Sequence, residues 1–290
     1  MHGTRLPGPW QGRGAKSQQR NSKGTPGRAG IAEELRMAHR LRQHFDRNVQ
    51  AYSYKFLYSY KEICERRLDR LQALLDPARA LRVLDVGCGA GFFSDLVLTR
   101  FPKATVYCVD FSLPMLLSNR PSTNKFCIAG DCTRLPFRPG FFDLVNIDTV
   151  MHHLVSAKGY AQTIQGMVEF LMQITQMVRP GGLIAIREIY HESRLIETFH
   201  TRLIYEMTIR HMPEPIAAIA RRAGISTMNV GVCFLSRSQW QDIFSLLKPA
   251  ALLLQAYPWK GSVIRYYRAL GFRTNGDYHC YLTTGAGMEE

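Results

Sequence analysis

The chain has 290 residues, is 46% hydrophobic and carries a formal charge of +14. That supports one sizeable core, and no apolar run reaches the roughly 18 residues of a membrane span. The seven cysteines include no Cys-x-x-Cys pair. With an odd number and no secretory signal, they read as reduced thiols in a cytoplasmic compartment.

Residues 1–30 hold six Lys or Arg and no acid, among Gly, Pro, Gln and Ser. Such a segment cannot bury enough apolar surface to order itself. Residues 1–36 are therefore expected to be a basic, disordered tail. A transit peptide, a nucleic-acid arm and an inert leader ahead of a start at Met37 are all open readings. From about 38 to 76 the pattern is helical. Within "EICERRLDRLQALL", Ile63, Leu68, Leu71 and Leu74 recur at helical spacing.

Strands and helices then alternate. Strands are predicted at 81–86, 105–110, 125–129, 143–148 and 182–188, with helices at 91–100 and 160–179 between them. Short, nearly continuous apolar strands of this kind belong to a parallel sheet buried on both faces. The alternation predicts a doubly wound α/β sheet. A helical insertion over 192–230 breaks the pattern. A helix near 237–247 and strands near 250–257 and 277–283 follow.

The chemistry is concentrated at strand ends. "VLDVGCGAGFFS" (83–94) runs from a strand through Gly87, Cys88, Gly89 and Gly91 into a helix. The dinucleotide fingerprint would need a third glycine at position 92, which is Phe92. Asp85, two residues before the first glycine, would repel a pyrophosphate and attract a cation. S-adenosylmethionine carries a sulfonium and an ammonium and no phosphate. Asp85 capping the next helix is the structural alternative. "VYCVDFS" ends the second strand at Asp110, placed to accept two ribose hydroxyls, with Phe111 against a base and Ser112 beside it. In "AGDCTRLPF", Asp131 is placed to accept from an adenine amino group and Cys132 to offer its N–H. Asp131 is equally a turn residue. "FDLVNIDTVMHHL" ends at Asp148, a ligand contact or a helix cap.

This ordered set resembles the class I S-adenosylmethionine-dependent methyltransferases over roughly residues 81–190. The resemblance implies a Rossmann-like, mostly parallel seven-stranded sheet whose last strand is antiparallel. N-terminal helices would precede it and a helical insertion would follow the fifth strand. It implies S-adenosylmethionine at Asp85, Gly87, Gly89, Asp110, Asp131 and Asp148. The expected organisation is a tail (1–36) and a single methyltransferase domain (37–290). That domain divides into cap helices (37–78), a cofactor core (79–190), an insertion or lid (191–235) and a C-terminal helix with strands (236–290).

His152 and Glu188 are the candidates for a general base, needed only if the acceptor bears a proton. The alternatives are packing or capping for His152 and a surface loop for Glu188. Tyr190 and His191 share that loop. His200 and His211 have no acid or thiol at ligand spacing, so no metal is expected. The alternating aromatics Tyr52, Tyr54, Phe56, Tyr58 and Tyr60 are core residues or part of a cofactor cover. The insertion "IYEMTIRHMPEPIAAIA" has the apolar composition of a lid. The expected activity is methyl transfer to a small molecule by direct displacement. An RNA acceptor is the alternative, and a non-catalytic binding module the third reading. No membrane partner is expected.

Overall fold

The structure, a computed structural model, describes residues 28–50, 57–193, 196–210, 212–222, 227–259 and 271–285. Two helices lead, α1 (Arg28–Arg47) and α2 (Leu57–Leu74). The alternating core follows as β1 (Arg82–Val86), α3 (Phe92–Arg100), β2 (Thr105–Asp110), α4 (Leu113–Leu117), β3 (Lys125–Ala129), β4 (Phe142–Asp148), α5 (Tyr160–Met177) and β5 (Val178–Ser193). The insertion contributes α6 (Glu197–Ile209) and α7 (Glu214–Arg222). Then come α8 (Arg237–Leu246), β6 (Ala251–Pro258) and β7 (Phe272–Thr283).

The seven strands form one sheet in the order β3-β2-β1-β4-β5-β7-β6. The first five pair in parallel, and β7 runs antiparallel to both β5 and β6. The fold is therefore the class I methyltransferase sheet. Each face carries its own core. On one face Leu84, Val145, Ile147 and Ile186 pack against α5 and α8, where Trp240 and Phe244 are fully buried. On the other, Val83, Val106, Leu144 and Ala185 meet Cys64, Leu68 and Leu71 of α2 and Phe93 and Val97 of α3. Of the residues that gave α2 its helical spacing, Leu68 and Leu71 are fully buried, Ile63 is half-buried, and Leu74 is exposed at the end of the helix. α8 begins with a capping box in which Ser236 and Gln239 bond each other's backbone.

Several boundaries differ from those expected. α1 begins at Arg28, so residues 28–36 are helix and not tail. Composition hid this because Glu33 pairs with Arg36 and Arg40, while Glu34 accepts from Ser156 Oγ (2.8 Å) and the Ala157 N–H (3.1 Å). Residues 1–27 lie outside the described residues. β5 starts at Val178, ahead of Pro180-Gly181-Gly182, and its pairing with β4 shifts register between Phe142 and Leu144. The strand is expected from 182; Pro180-Gly181-Gly182 instead form an irregularity inside it. β7 starts at Phe272 because it follows β5 along its full length. Residues 227–235 of the insertion are non-helical, with Val232, Cys233 and Leu235 buried.

Candidate active site

The carboxyl ends of β1, β2 and β4 meet beneath α1. The turn after β1 holds Gly87, Gly89 and Gly91 at φ of 65°, 53° and 77°, the left-handed region that favours glycine. The N–H groups of Gly87 and Cys88 donate to Val109 O at 2.8 and 3.1 Å, which fixes the turn to β2. A Cβ on Gly87 would come within 2.4 Å of Val150, and one on Gly91 within 2.2 Å of Asn119. Those two glycines serve packing. A Cβ on Gly89 would meet nothing within 4 Å, so Gly89 faces open space. The Cys108 thiol beside Cys88, and then burial, push the Cys88 thiol well up, so it stays protonated.

Asp110 closes the other side of this opening. Its Oδ2 accepts the Gly89 N–H at 2.9 Å and its Oδ1 the Ser112 N–H at 2.8 Å. Burial raises its pKa, against the pull of these N–H donors. Each oxygen retains an unused lone pair for a further donor. Ser112 caps α4 and donates to Asp46 of α1 at 2.6 Å. Phe111 packs edge-on against Phe45 with Arg42 above its ring.

Three residues expected at the ligand also have partners within the protein. Asp85 is buried under the turn, where Ser94 Oγ and Asn146 Nδ2 donate to it. Burial lifts its pKa to about 6, with Ser94 and Asn146 opposing. It bonds the Ser94 side chain and not a backbone N–H, so it is neither a free counter-charge nor a helix cap. Asp131 is exposed and accepts the N–H and hydroxyl of Thr133 at 2.9 and 2.8 Å, the geometry of an Asx turn. Half-buried Cys132 lies next to it, its thiol pushed up to about 12 by burial and then by Asp131.

Asp148 is the third. It accepts from Arg67, from Arg187 Nη1 (2.7 Å) and from Tyr60 OH (3.0 Å). Burial works to raise its pKa, but Arg187 and Arg67 outweigh it and hold it at about 2. Arg187 also donates to Asp277 at 2.8 Å, and Trp259 Nε1 to the same carboxylate at 2.9 Å. Arg67, wholly buried, further donates to Asn146. Asp85, Asn146, Arg67, Asp148, Arg187 and Asp277 are thus one buried polar stripe under α2. Asp148 is an ion-pair centre and caps no helix. The sequence analysis missed Arg67 and Asn146. Asn146 is an amide inside an apolar strand, and Arg67 falls in helical phase with Cys64, Leu68 and Leu71; both were visible signals.

On the far side of β4, His152 and Glu188 come together. His152 Nδ1 bonds Glu188 Oε2 at 2.8 Å, and Glu188 Oε1 accepts the Met151 N–H at 2.6 Å. Both side chains are buried, so Glu188 is no surface-loop residue. A file of rings, Phe111, Phe45, His153, His152 and Phe234, crosses from β2 to the insertion with neighbouring centroids 4.1–5.7 Å apart. Burial, then His152 and His44, push His153 well down, so it stays neutral.

Tyr190 is buried against Tyr278, and His191 bonds Thr201 Oγ1 at 2.9 Å; both are structural. His200 bonds Ser193 at 2.7 Å. Among the described residues no group of three His, Cys, Asp or Glu could hold a metal. His211, Tyr52, Tyr54 and Phe56 lie outside the described residues.

Comparison with known proteins agrees with this geometry. Residues 84–186 match a family model described as a methyltransferase domain. A malonyl-[acyl-carrier protein] O-methyltransferase of Legionella pneumophila is 40% identical over 32% of this chain and 33% of its own length. A methyltransferase of Strobilurus tenacellus, str3, is 31% identical over 42% and 40%. The chain thus spans well under half the length of these two curated relatives. The malonyl-[acyl-carrier protein] O-methyltransferase of Halalkalibacterium halodurans is 24% identical over 69% and 68%. A phosphoethanolamine N-methyltransferase of Haemonchus contortus superposes with a TM-score of 0.56 at 14% identity, covering 82% of this chain and 57% of that one. At that identity the likeness is one of fold.

Proposed function

We propose that this chain, whose residues 84–186 match a methyltransferase-domain model on a class I sheet, moves a methyl group from S-adenosylmethionine to a small-molecule acceptor. The observation that carries this is the pairing of two features across the strand ends. One is the opening at Gly89, bordered by Asp110. The other is the buried His152–Glu188 pair.

S-adenosylmethionine would supply a methyl group on a positively charged sulfur, open to direct displacement. Gly89 and Asp110 would hold its sugar, and Phe111 and Cys132 would flank its base. Asp85 acts at one remove, as a buried carboxylate beneath the turn. The ring file from Phe111 to Phe234 would help exclude water beside the ligand. Glu188 fixes His152 through Nδ1, which leaves Nε2 as the ring atom that takes a proton from an acceptor. Alignment of acceptor, methyl and sulfur supplies most of the remaining rate. The burial of His152 and Glu188 suits an acceptor small enough to reach them. An RNA acceptor rests on net charge alone.

The names of the relatives favour a second reading, a carboxylate acceptor. A carboxylate is ionised already at neutral pH and needs no base. One experiment separates the two. Calorimetry with S-adenosylmethionine, S-adenosylhomocysteine and NAD first establishes the cofactor. Release of S-adenosylhomocysteine is then followed against phenols, carboxylic acids and RNA, in wild type and His152→Ala. A phenol-type acceptor predicts a loss of about 10²–10⁴-fold in rate with cofactor affinity kept. A carboxylate acceptor predicts little change. Turnover of RNA alone, or binding of NAD alone, would defeat the proposal.

A further inference from the structure

The insertion turns an apolar face outward. Ile196, Phe199, Leu203 and Met207 recur every three or four residues along the outer side of α6, with Phe199 59% exposed. His200, Thr201, Tyr205 and Thr208 of the same helix face inward and are buried. α7 repeats the arrangement on a smaller scale: Ala217 is buried, while Ile216 and Ile219 are exposed. Ile31 and Leu35 add a third exposed pair on α1. α1 and α6 converge on one residue, since Ser156 donates to Glu34 at 2.8 Å and accepts from the Tyr205 hydroxyl at 2.7 Å.

The charges around this face are sorted by sign. Each acid of α1 and α6 has a partner among the described residues. Glu33 pairs with Arg36 and Arg40, Glu34 with Ser156 and Asp46 with Ser112. Glu197 accepts from Ser238 and Glu206 pairs with Arg210. Arg36, Arg42, Arg47, Arg202 and Arg210 are exposed, and of these Arg36 and Arg210 are in surface pairs with Glu33 and Glu206. Glu214, at the start of α7, is exposed as well. Residues 1–27, which lead into α1, add five Lys or Arg and no acid.

Exposed aliphatic and aromatic side chains with arginines beside them are what an interfacial helix presents to lipid. Basic segments next to such a face draw it to anionic headgroups. We propose that the outer face of α6, with α1 beside it, rests on an anionic bilayer surface, its apolar side chains entering the headgroup layer and its exposed arginines meeting lipid phosphates. The sequence pointed away from a membrane because no segment spans one, and among the described residues no helix is long and apolar enough to cross. A helix lying in the interface needs no such length. The occupant is set by charge: a second copy would bring arginines against arginines.

The test is co-sedimentation of the full chain with vesicles of phosphatidylcholine alone or mixed with phosphatidylglycerol. Binding is expected with the mixed vesicles and to fall steeply as salt rises. The double variant Phe199→Glu, Leu203→Glu should bind at least about tenfold less. Both side chains point to solvent, so its circular dichroism and melting midpoint should match wild type. Should that variant misfold, the exposed charge reversal Arg202→Glu, Arg210→Glu makes the same prediction. The proposal is overturned if wild type ignores phosphatidylglycerol or binds both vesicle types equally. It is also overturned if well-folded variants bind as wild type does. A wild-type dimer that becomes a monomer in the Phe199→Glu, Leu203→Glu variant would show that a second copy covers the face.

Discussion

Replacing Asp85 with Asn should make the protein more stable at pH 8. Burial lifts this carboxyl from its ordinary 3.8 to about 6, a gap of about 2.2 pH units, which corresponds to ~3 kcal/mol. Between those two values the folded chain binds more protons than the unfolded one. The contribution of Asp85 to stability therefore falls as pH rises through that window. Above it, the fold holds a buried anion at a cost of up to ~3 kcal/mol. An Asn side chain has the same shape and no charge. It can still accept from Asn146, and the Ser94 hydroxyl can turn from donor to acceptor. Urea unfolding followed by circular dichroism at pH 8, 6 and 4 measures the difference. The variant should be the more stable at pH 8, by up to ~3 kcal/mol, with the gap closing toward pH 4. A variant less stable than wild type at pH 8 would refute the reasoning. It would show that the bonds from Ser94 and Asn146 favour the ionised carboxylate more than burial disfavours it. Calorimetry on the same variant adds the functional half. Gained stability with lost affinity for S-adenosylmethionine would mean that the buried charge is kept for the cofactor's positive groups.

The other predictions concern neighbouring sites. Arg67→Met leaves Asp148 with Arg187 as its only cation and takes from Asn146 Oδ1 its donor. The loss should be ~3 kcal/mol, the low end for a broken buried pair because Arg187 remains. The melting midpoint should fall by roughly 6–12 °C, and a loss under ~1 kcal/mol would sink the ion-pair assignment. Asp110→Ala should weaken S-adenosylmethionine binding by ~1–3 kcal/mol in calorimetry, and unchanged affinity would remove it from the sugar site. His191 is pushed down to about 4 by burial and then by His200. Below pH 6.5 the unfolded chain takes a proton that the folded chain refuses, so stability is lost progressively from there to about 4, by ~3 kcal/mol. His191→Gln should flatten that part of the pH–stability curve, and an unchanged curve would contradict it.

The parallel strands were legible because a strand buried on both faces is written as an uninterrupted apolar run. Residues 105–110 need no knowledge of their neighbours to be read this way, and β2 occupies that range; β3 also falls where expected, at 125–129, but as the largely exposed edge strand of the sheet. Boundaries that depend on a partner were not legible. The start of β7 is set by the length of β5, and the start of α1 by what Glu34 meets at Ser156. At the site, the glycines and Asp110 were readable from spacing, since a turn with positive φ restricts residue type locally. The state of Asp85 and Asp148 was not. A carboxylate at a strand end looks the same in sequence whether a ligand or an arginine faces it. Arg67, which decides the matter for Asp148, lies 81 positions away. The outward face of α6 escaped notice for a related reason. The lid composition was read from residues 204–220, which share only Met207 with this face, and only the buried side of the helix shows which way Ile196, Phe199 and Leu203 point.

The place of β7 in the sheet has a consequence for how the chain is made. β7 sits between β5 and β6, yet it leaves the ribosome after both. Until residue 272 has emerged, β5 has an open hydrogen-bonding edge and β6 has no sheet to join. Arg187 also waits for Asp277, its second carboxylate. The glycine turn and β1 to β4 can assemble during synthesis, but the growing chain stays sticky along β5 until its closing strand arrives. A ribosome that pauses between residues 193 and 272 would present that edge to its neighbours.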